Sequence, residues 1–291
     1  MRIGLSPRTA SRMLAAAVAA MMAGLPVGAA RAAVTDAFYD RTFMLAAHRK
    51  CDLFEPALIA ALDAAALQAR GAALRAGAPA ADLTAAAARA RTKAARTACD
   101  DGDLNRVKAR VEAGFAGWMR AARMSFPGDR SAWRGDRYES QAAGWRLVQD
   151  SATGRSPVRF GLAGTGPKTT VPTAVVSFAG QPRPYAARIV MRDRDKTPRV
   201  WLTGGGLPPE TGRRVFFAGW SHAAAPTLLT EGARQGEAWI FPADAAEALA
   251  QLDPRETFVV EFLFRDDSVA EARFEAGDFA AGRAFLTMGA I

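Results

Sequence analysis

The spacing of apolar residues changes partway along the chain, and that change restricts it to a mixed α+β fold. Residues 33 to 125 contain little Gly or Pro and are rich in Ala, Leu and Arg, all good helix formers. Four helices are predicted there. The first runs from about Thr35 to Asp52. The second starts near Pro56, which suits a first-turn position, and ends near Gly77. The third runs from near Asp82 to Cys99. The fourth follows Asp101-Gly102-Asp103, where acidic side chains suit a helix N-terminus, and reaches about Met124. It carries the clearest stripe: Leu104, Val107, Val111, Phe115, Trp118 and Ala122, in steps of three and four. Short connections make successive helices antiparallel neighbours. In that arrangement the ends of the first and third helices lie at one pole, where Cys51 and Cys99 sit.

From about Trp145 the pattern becomes one of short Val-, Phe-, Trp- and Ile-rich runs separated by Pro, Gly and polar turns. Strands are predicted at Trp145–Gln149, Val158–Leu162, Thr173–Phe178, Ala187–Arg192, Arg199–Leu202, Arg214–Ala218, Ala238–Phe241, Thr257–Phe264 and Val269–Phe274. Asp193-Arg194-Asp195 and Asp266-Asp267-Ser268 read as hairpin turns. Short helices are expected at Ala243–Leu252 and Asp278–Met288. Many short strands with polar turns point to antiparallel sheet. The expected fold is therefore α+β: an N-terminal four-helix bundle (33–125), a connector (126–144), and an antiparallel β-sandwich or barrel-like domain (145–291). Trp133 and Trp145 are expected near the seam between the halves.

Residues 1–32 have the layout of a cleavable export signal. Arg2, Arg8 and Arg12 precede an uncharged run from Met13 to Leu25, and Ala30-Arg31-Ala32 fits an A-x-A cut before Ala33. The run is short for a spanning helix, which needs about 20 apolar residues. There is no Arg-Arg pair, and no Cys stands near the cut to take a lipid. A general-secretory signal and a periplasmic or secreted protein are expected, with no transmembrane segment in the mature chain. Removing Arg2, Arg8, Arg12 and Arg31 lowers the net charge from +9 to 9 − 4 = +5. That mild excess, with no nucleic-acid-binding motif, argues against nucleic acid as a partner. In an oxidising compartment the two cysteines, Cys51 and Cys99, are expected to form one disulfide.

Several stretches come near a chemical motif. Gly161 to Thr169 approximates a phosphate loop, but Pro167 intrudes before Lys168 and removes a backbone donor where phosphate needs one. It reads as a loop between strands. Gly219-Trp220-Ser221-His222-Ala223 approximates a nucleophile elbow, which makes Ser221 and His222 weak catalytic candidates. No His follows His222, and the surrounding pattern is antiparallel rather than the parallel sheet that elbow requires. Asp101, Asp103, Asn105 and Glu112 fall at positions 1, 3, 5 and 12 of a calcium loop. Arg106 stands where the sharp turn wants Gly, so acidic capping of the fourth helix is the favoured reading. His48 shares a helical face with Met44 and Cys51 and is read as packing. Arg89, Lys93 and Arg96 form a basic stripe, read as a solvated face. No cofactor or metal is expected.

Arg49-Lys50-Cys51-Asp52-Leu53-Phe54 and Met124-Ser125-Phe126-Pro127-Gly128 resemble stretches of exported alphaproteobacterial proteins of uncharacterised function. Phe258–Phe264, followed by Phe274-Glu275-Ala276-Gly277-Asp278-Phe279-Ala280-Ala281, is similar to the end of invasion-associated locus B proteins, which are small, exported and β-rich. The cysteines of that family are missing from this half, and the resemblance brings no site residue with it. The sequence favours a non-catalytic envelope protein that binds another protein or an envelope component. The alternatives are a hydrolase-like periplasmic enzyme using Ser221 and His222, or a small-ligand binder with a pocket in the β half. A binder should expose an aromatic patch, for example around Trp201 or Trp220. An enzyme should gather Ser221, His222 and an acid in one cleft.

Overall fold

The computed structural model describes residues 27–178, 182–203 and 206–291, with side chains from residue 32 onward. The charged and apolar parts of the expected export signal lie outside the described residues. Helix α1 spans Val27–Cys51, so it starts upstream of the expected Thr35 and runs through the expected cut after Ala32. Helices α2 (Pro56–Arg75), α3 (Ala80–Arg96) and α4 (Gly102–Met119) follow. Pro56 opens α2 in its first turn. Asp101 caps α4 by accepting a hydrogen bond from the Leu104 N–H at 2.9 Å.

The Cys51–Cys99 disulfide is present, with Cα atoms 5.5 Å apart. It ties the end of α1 to the segment just past α3. Lys50 Nζ reinforces that pole by donating to the Ala95 and Thr97 carbonyls at 3.0 and 2.7 Å.

The N-terminal part is helical as expected, and its four helices do not pack on one another alone. α1 packs on α2 and α3, while α2 also packs on α4 and on a helix from the far end of the chain. α2 feeds three apolar clusters: Leu58 and Leu62 in one, Ala69, Ala73 and Leu74 in a second, and Ala61 and Ala64 in the main core of the β half. A helix used on several sides must be apolar almost all round. That explains why α2 has the length and hydropathy of a membrane-crossing helix although 56% of its apolar window is buried inside this protein.

The β half comprises eleven strands among the described residues: β1 (Arg123–Pro127), β2 (Ala132–Asp136), β3 (Gly144–Thr153), β4 (Ser156–Gly164), β5 (Val171–Val176), β6 (Ala186–Arg192), β7 (Arg213–Phe217), β8 (Trp220–Ala223), β9 (Glu237–Ile240), β10 (Thr257–Leu263) and β11 (Val269–Glu275). Helices α5 (Ala243–Ala250) and α6 (Phe279–Leu286) complete it. All pairings are antiparallel. One sheet runs β1-β2-β3-β4-β5-β9-β8 and the other β11-β10-β6-β7. Neither closes into a barrel, because β8 and β7 each end a sheet with nothing paired beyond them among the described residues. Rings from the two sheets pack together between them: Phe160 of β4 meets Phe258 of β10 at 5.2 Å and Phe274 of β11 at 5.7 Å between centroids.

Three expectations change here. The segment expected as a connector holds the end of β1 and all of β2, which pair from Arg123↔Asp136 to Pro127↔Ala132. Arg199–Leu202 is not a strand. The buried Arg192–Glu256 pair holds that stretch, with the Trp201 N–H donating to Glu256 Oε1 at 3.2 Å instead of to a ladder partner. Asp193-Arg194-Asp195 does not turn a hairpin, since a long irregular connection separates β6 from β7. Trp133 lies in the β core, fully buried, and donates to the Ala276 carbonyl at 3.0 Å. Trp145 donates to the Leu228 carbonyl at 3.0 Å, also within the β half.

The helical and β halves are joined at α2 and α6. Arg75 of α2 forms a bidentate pair with Asp278, the residue before α6, at 2.7 and 2.8 Å. The Asp278 side chain is wholly buried. Its burial raises the carboxyl above the usual range, and Arg75 opposes that rise. Gly71 makes room for the pair. A Cβ there would overlap Asp278 Oδ1 and lie 3.0 Å from its Cγ.

Candidate functional site

β8, an edge strand of four residues, has one backbone edge unpaired among the described residues and a large aromatic open to solvent. Strand alternation sends Trp220 and His222 to one face and Ser221 and Ala223 to the other. On the outer face Trp220 is 59% exposed, and the His222 ring stacks on it at 5.0 Å between centroids, 28° from coplanar. His222 Nδ1 lies 2.8 Å from the Ala223 carbonyl, which fixes the ring against the strand.

Ser221 on the other face is held by β9. Its hydroxyl donates to Glu237 Oε1 at 2.7 Å, and Arg183 Nε donates to the same oxygen at 2.8 Å. Arg183 Nη2 also reaches the Ser221 oxygen at 3.3 Å. Glu237 is thus engaged by a guanidinium rather than poised as a base. The geometry places Ser221 and His222 on opposite faces, so the two do not form a nucleophile–base pair. Ser221, Arg183, Tyr185, Trp239 and Arg265 line a cavity of about 390 Å³. The buried Trp239 indole N–H has no hydrogen-bond partner among the described residues.

The calcium pattern does not converge either. Asp101 is occupied as the α4 cap, Asp103 pairs with Arg106, and Glu112 pairs with Lys108 at 3.8 Å. Asp103 and Glu112 are nine helical residues apart, about 13 Å along the axis, too far to share an ion. Asn105 lies on the same helix and is exposed. Among the described residues no group of three His, Cys, Asp or Glu side chains is arranged to hold a metal.

The phosphate-loop look-alike is the β4–β5 connection. Gly161 and Gly164 sit inside β4, and a Cβ on Gly161 would fall 2.9 Å from Val148 Cα of β3. These glycines serve close strand approach rather than phosphate binding. Thr169 closes the loop by accepting from the Gly166 N–H at 3.0 Å.

A groove of about 1010 Å³ opens where the loop after α1 meets α4 and the end of α6. His48, Arg49, Asp52, Glu55, Asp63, Lys108 and Glu112 line it, so the Arg49–Phe54 stretch singled out by resemblance forms one wall. His48 Nδ1 accepts the Phe54 N–H at 3.2 Å, and the His48 and Phe54 rings stack at 6.1 Å between centroids. Burial holds the Asp63 carboxyl above the usual carboxylate range, against the pull of Arg49, although the residue stays exposed along the groove. A smaller groove of about 350 Å³ lies beside α4, floored by Phe43, Val107, Val111 and Phe115. The apolar stripe of α4 is therefore only partly covered, with Leu104 alone fully buried. On α3, Arg89, Lys93 and Arg96 are exposed as the sequence suggested, with Lys93 over the Phe43 ring at 5.2 Å.

Sequence reasoning singled out Trp220 as a candidate exposed aromatic but did not find Glu237 or Arg183. Both are polar residues within ordinary strand or loop patterns, and no signal links them to Ser221. No known protein family, curated protein or solved structure matches this chain significantly.

Proposed function

We propose that this is an exported, non-catalytic protein that binds an envelope protein or envelope component through the aromatic ridge of β8. The observation that carries this reading is the Trp220–His222 stack, exposed on a strand whose open edge has no partner among the described residues. Large aromatics are costly to leave in water, and exposed ones on an otherwise well-buried fold mark contact surfaces. The separation of Ser221 from His222 weighs against the hydrolase alternative. A disulfide is compatible with an oxidising, exported location. The periplasmic assignment and the general-secretory signal rest on the basic, apolar and A-x-A segments of residues 1–32. Cleavage after Ala32 would leave α1 from Ala33 to Cys51. The kinship with exported alphaproteobacterial proteins, and the fainter one with invasion-associated locus B proteins, belongs to the same proposal, as does description of the two packed sheets as a β-sandwich.

The test is capture from a periplasmic extract by the immobilised wild-type chain and by Trp220→Ala. One species should be retained by the wild type and lost at least tenfold with the variant, whose circular dichroism should stay unchanged. Equal retention by both would remove Trp220 from the site. Covalent labelling of Ser221 by a fluorophosphonate probe would overturn the non-catalytic reading. N-terminal sequencing of the mature protein should begin at Ala33; an intact Met1 would refute export by cleavage.

A second reading has one observation in its favour. Trp239, whose buried indole N–H has no hydrogen-bond partner among the described residues, lines a cavity that also presents Arg183 and Arg265, and the two guanidinium groups suit a small anionic ligand. Thermal-shift titration with small carboxylates should then raise the melting temperature of the wild type but not of Arg265→Gln.

A further inference from the structure

The other open edge, β7, presents a backbone and side-chain pattern complementary to itself. The Ala218 N–H donates to Ala187 O at 2.9 Å and the Asp193 N–H to Gly212 O at 2.8 Å. These are hydrogen-bonded positions between β7 and β6, so by alternation Arg214 and Phe216 also turn their backbone groups toward β6. Arg213, Val215 and Phe217 then turn theirs to the open side. The Arg213 N–H is taken by the Glu210 carbonyl. The N–H and C=O groups of Val215 and Phe217 have no partner among the described residues.

The same residues expose apolar side chains. Val215 is 41% and Phe217 54% accessible. Edge strands are ordinarily blunted by charge, proline or cover. The opposite edge of the other sheet, β1, follows that rule, with Arg123, Ser125 and Pro127 at its exposed positions. β7 carries charge only at its start, at Arg213 and Arg214, and leaves Val215 and Phe217 apolar at its outward positions; its sequence Arg-Arg-Val-Phe-Phe has a useful symmetry. Antiparallel pairing of two copies through the outward groups fixes one full-length register, with a two-fold axis at Val215. Val215 then faces the partner's Val215, exchanging two hydrogen bonds. Each Phe217 N–H meets the partner's Arg213 carbonyl. Phe217 lies across from the partner's Arg213, and Phe216 across from the partner's Arg214. The chain already makes such arginine–aromatic contacts within itself: Arg214 over Phe216 at 4.8 Å and Arg188 over Phe217 at 5.9 Å. Other registers shorten the ladder or bring arginines face to face, which is unfavourable.

We propose that β7 is a dimerisation edge. It takes a second copy of this chain, in antiparallel register centred on Val215, and joins two four-stranded sheets into one. The contact is isologous and closes after two copies, so it does not propagate into fibres. It goes beyond the ridge reading, since Trp220 lies outside the paired strand and neither idea requires the other.

The experiment is sedimentation equilibrium on the purified chain with its native disulfide intact. The wild type should show a concentration-dependent dimer. Val215→Pro deletes an N–H that faces only the open side, where proline is tolerated, and should weaken the dimer on the order of tenfold or more. Val215→Cys gives a second readout that does not depend on that variant folding. Cα atoms across a hydrogen-bonded antiparallel pair are about 5.5 Å apart, within disulfide range. Both native cysteines are already bridged, so the new thiol has only its copy to pair with. Oxidation should cross-link Val215→Cys to a dimer. Phe217→Cys alone should not cross-link, but should do so when mixed with Arg213→Cys. A wild type that stays monomeric at its highest soluble concentration would overturn the proposal. So would Phe217→Cys cross-linking as well as Val215→Cys, or a dimer that neither Val215 change affects.

Discussion

Replacing Gly71 by Ala should destabilise the protein, although the position is in the middle of a helix. Host–guest propensities favour Ala over Gly there by about 1 kcal/mol. The structure opposes that gain. A Cβ on Gly71 would overlap Asp278 Oδ1 and sit 3.1 Å from Arg75 Nη1, so the methyl group lands on the bidentate pair joining α2 to α6. The Asp278 side chain is fully shielded and the Arg75 side chain only 13% exposed. Losing a partner from such a buried pair costs about 3–5 kcal/mol, because a desolvated charge is left behind. Subtracting the propensity gain leaves a net loss of about 2–4 kcal/mol. At roughly 2–4 °C per kcal/mol for a chain of this size, the melting temperature should fall on the order of 5–15 °C. Gly114 on α4 is the control, since nothing lies within 4 Å of the Cβ it would gain. Gly114→Ala should stabilise by up to about 1 kcal/mol. Thermal denaturation followed by circular dichroism reads both. If Gly71→Ala stabilises as Gly114→Ala does, the Arg75–Asp278 contact does not hold the two halves together.

Reducing the Cys51–Cys99 bridge opens a loop of 48 residues and should cost about 4 kcal/mol of chain-entropy stabilisation. Urea titration with and without reductant measures it, and coincident midpoints would refute it. Asp253 is buried, which works to raise its pKa, but hydrogen bonds and charge from Arg255 outweigh burial and hold it below the ordinary value. A depressed carboxylate contributes stability above its unfolded pKa of about 4 and loses it as pH falls through the folded value. Asp253→Asn should therefore flatten the acid limb of the stability–pH curve; an unchanged limb would count against the pairing. Trp133→Phe removes the donor to the Glu275 and Ala276 carbonyls and leaves a void among Phe160, Phe258 and Phe279. A loss of about 2 kcal/mol is expected by urea denaturation. Trp220→Ala, by contrast, should stay within about 0.5 kcal/mol of the wild type in the same assay.

The helices were legible because each carries its own period and punctuation: Pro56 at a start, Asp101 as a cap, Gly77 past an end. The disulfide was expected from two cysteines in an oxidising compartment, and it agrees with the topology those helices imply. What they pack against was not legible. The alternation of Ala and Leu on α2 marks it as buried, but nothing local says that Asp278, some 200 residues away, will occupy the notch at Gly71. β1 and β2 escaped notice because the stripe of α4 continues to Ala122 and Pro127-Gly128 reads as a helix stop. In the fold those residues end a strand and turn a hairpin, with the Gly128 N–H donating to the Ser131 carbonyl at 2.7 Å. Trp201 reads as a strand residue by composition, yet its N–H is captured by Glu256. Adjacent Ser221 and His222 look like a reactive pair in one dimension, and the period of two in a strand points them to opposite faces.

Two unpaired sheet edges of the described chain come together where the chain crosses between sheets. Four strands end a sheet. β11 is tied to β3, with Glu275 N–H donating to Gln149 Oε1 at 2.8 Å and Ser151 Oγ to the Arg273 carbonyl at 2.6 Å. β1 is packed by α6, where Phe126 meets Phe285 at 5.5 Å, and its exposed positions are polar or proline. The remaining two, β7 and β8, are consecutive in the chain and separated only by Ala218 and Gly219. Here the chain leaves one sheet for the other: Ala218 N–H still bonds to Ala187 of β6, and Gly219 N–H already bonds to Ile240 of β9. A crossing made in two residues leaves no room for an intervening element, so both edges flank it, with no strand paired beyond either among the described residues. Phe217 and Trp220 flank that crossing and are among the most exposed large apolar residues of the described chain. An open edge with aromatics is a hazard for a monomer and an asset for a binder. Their coincidence at the crossing is the observation on which the proposed recognition role rests.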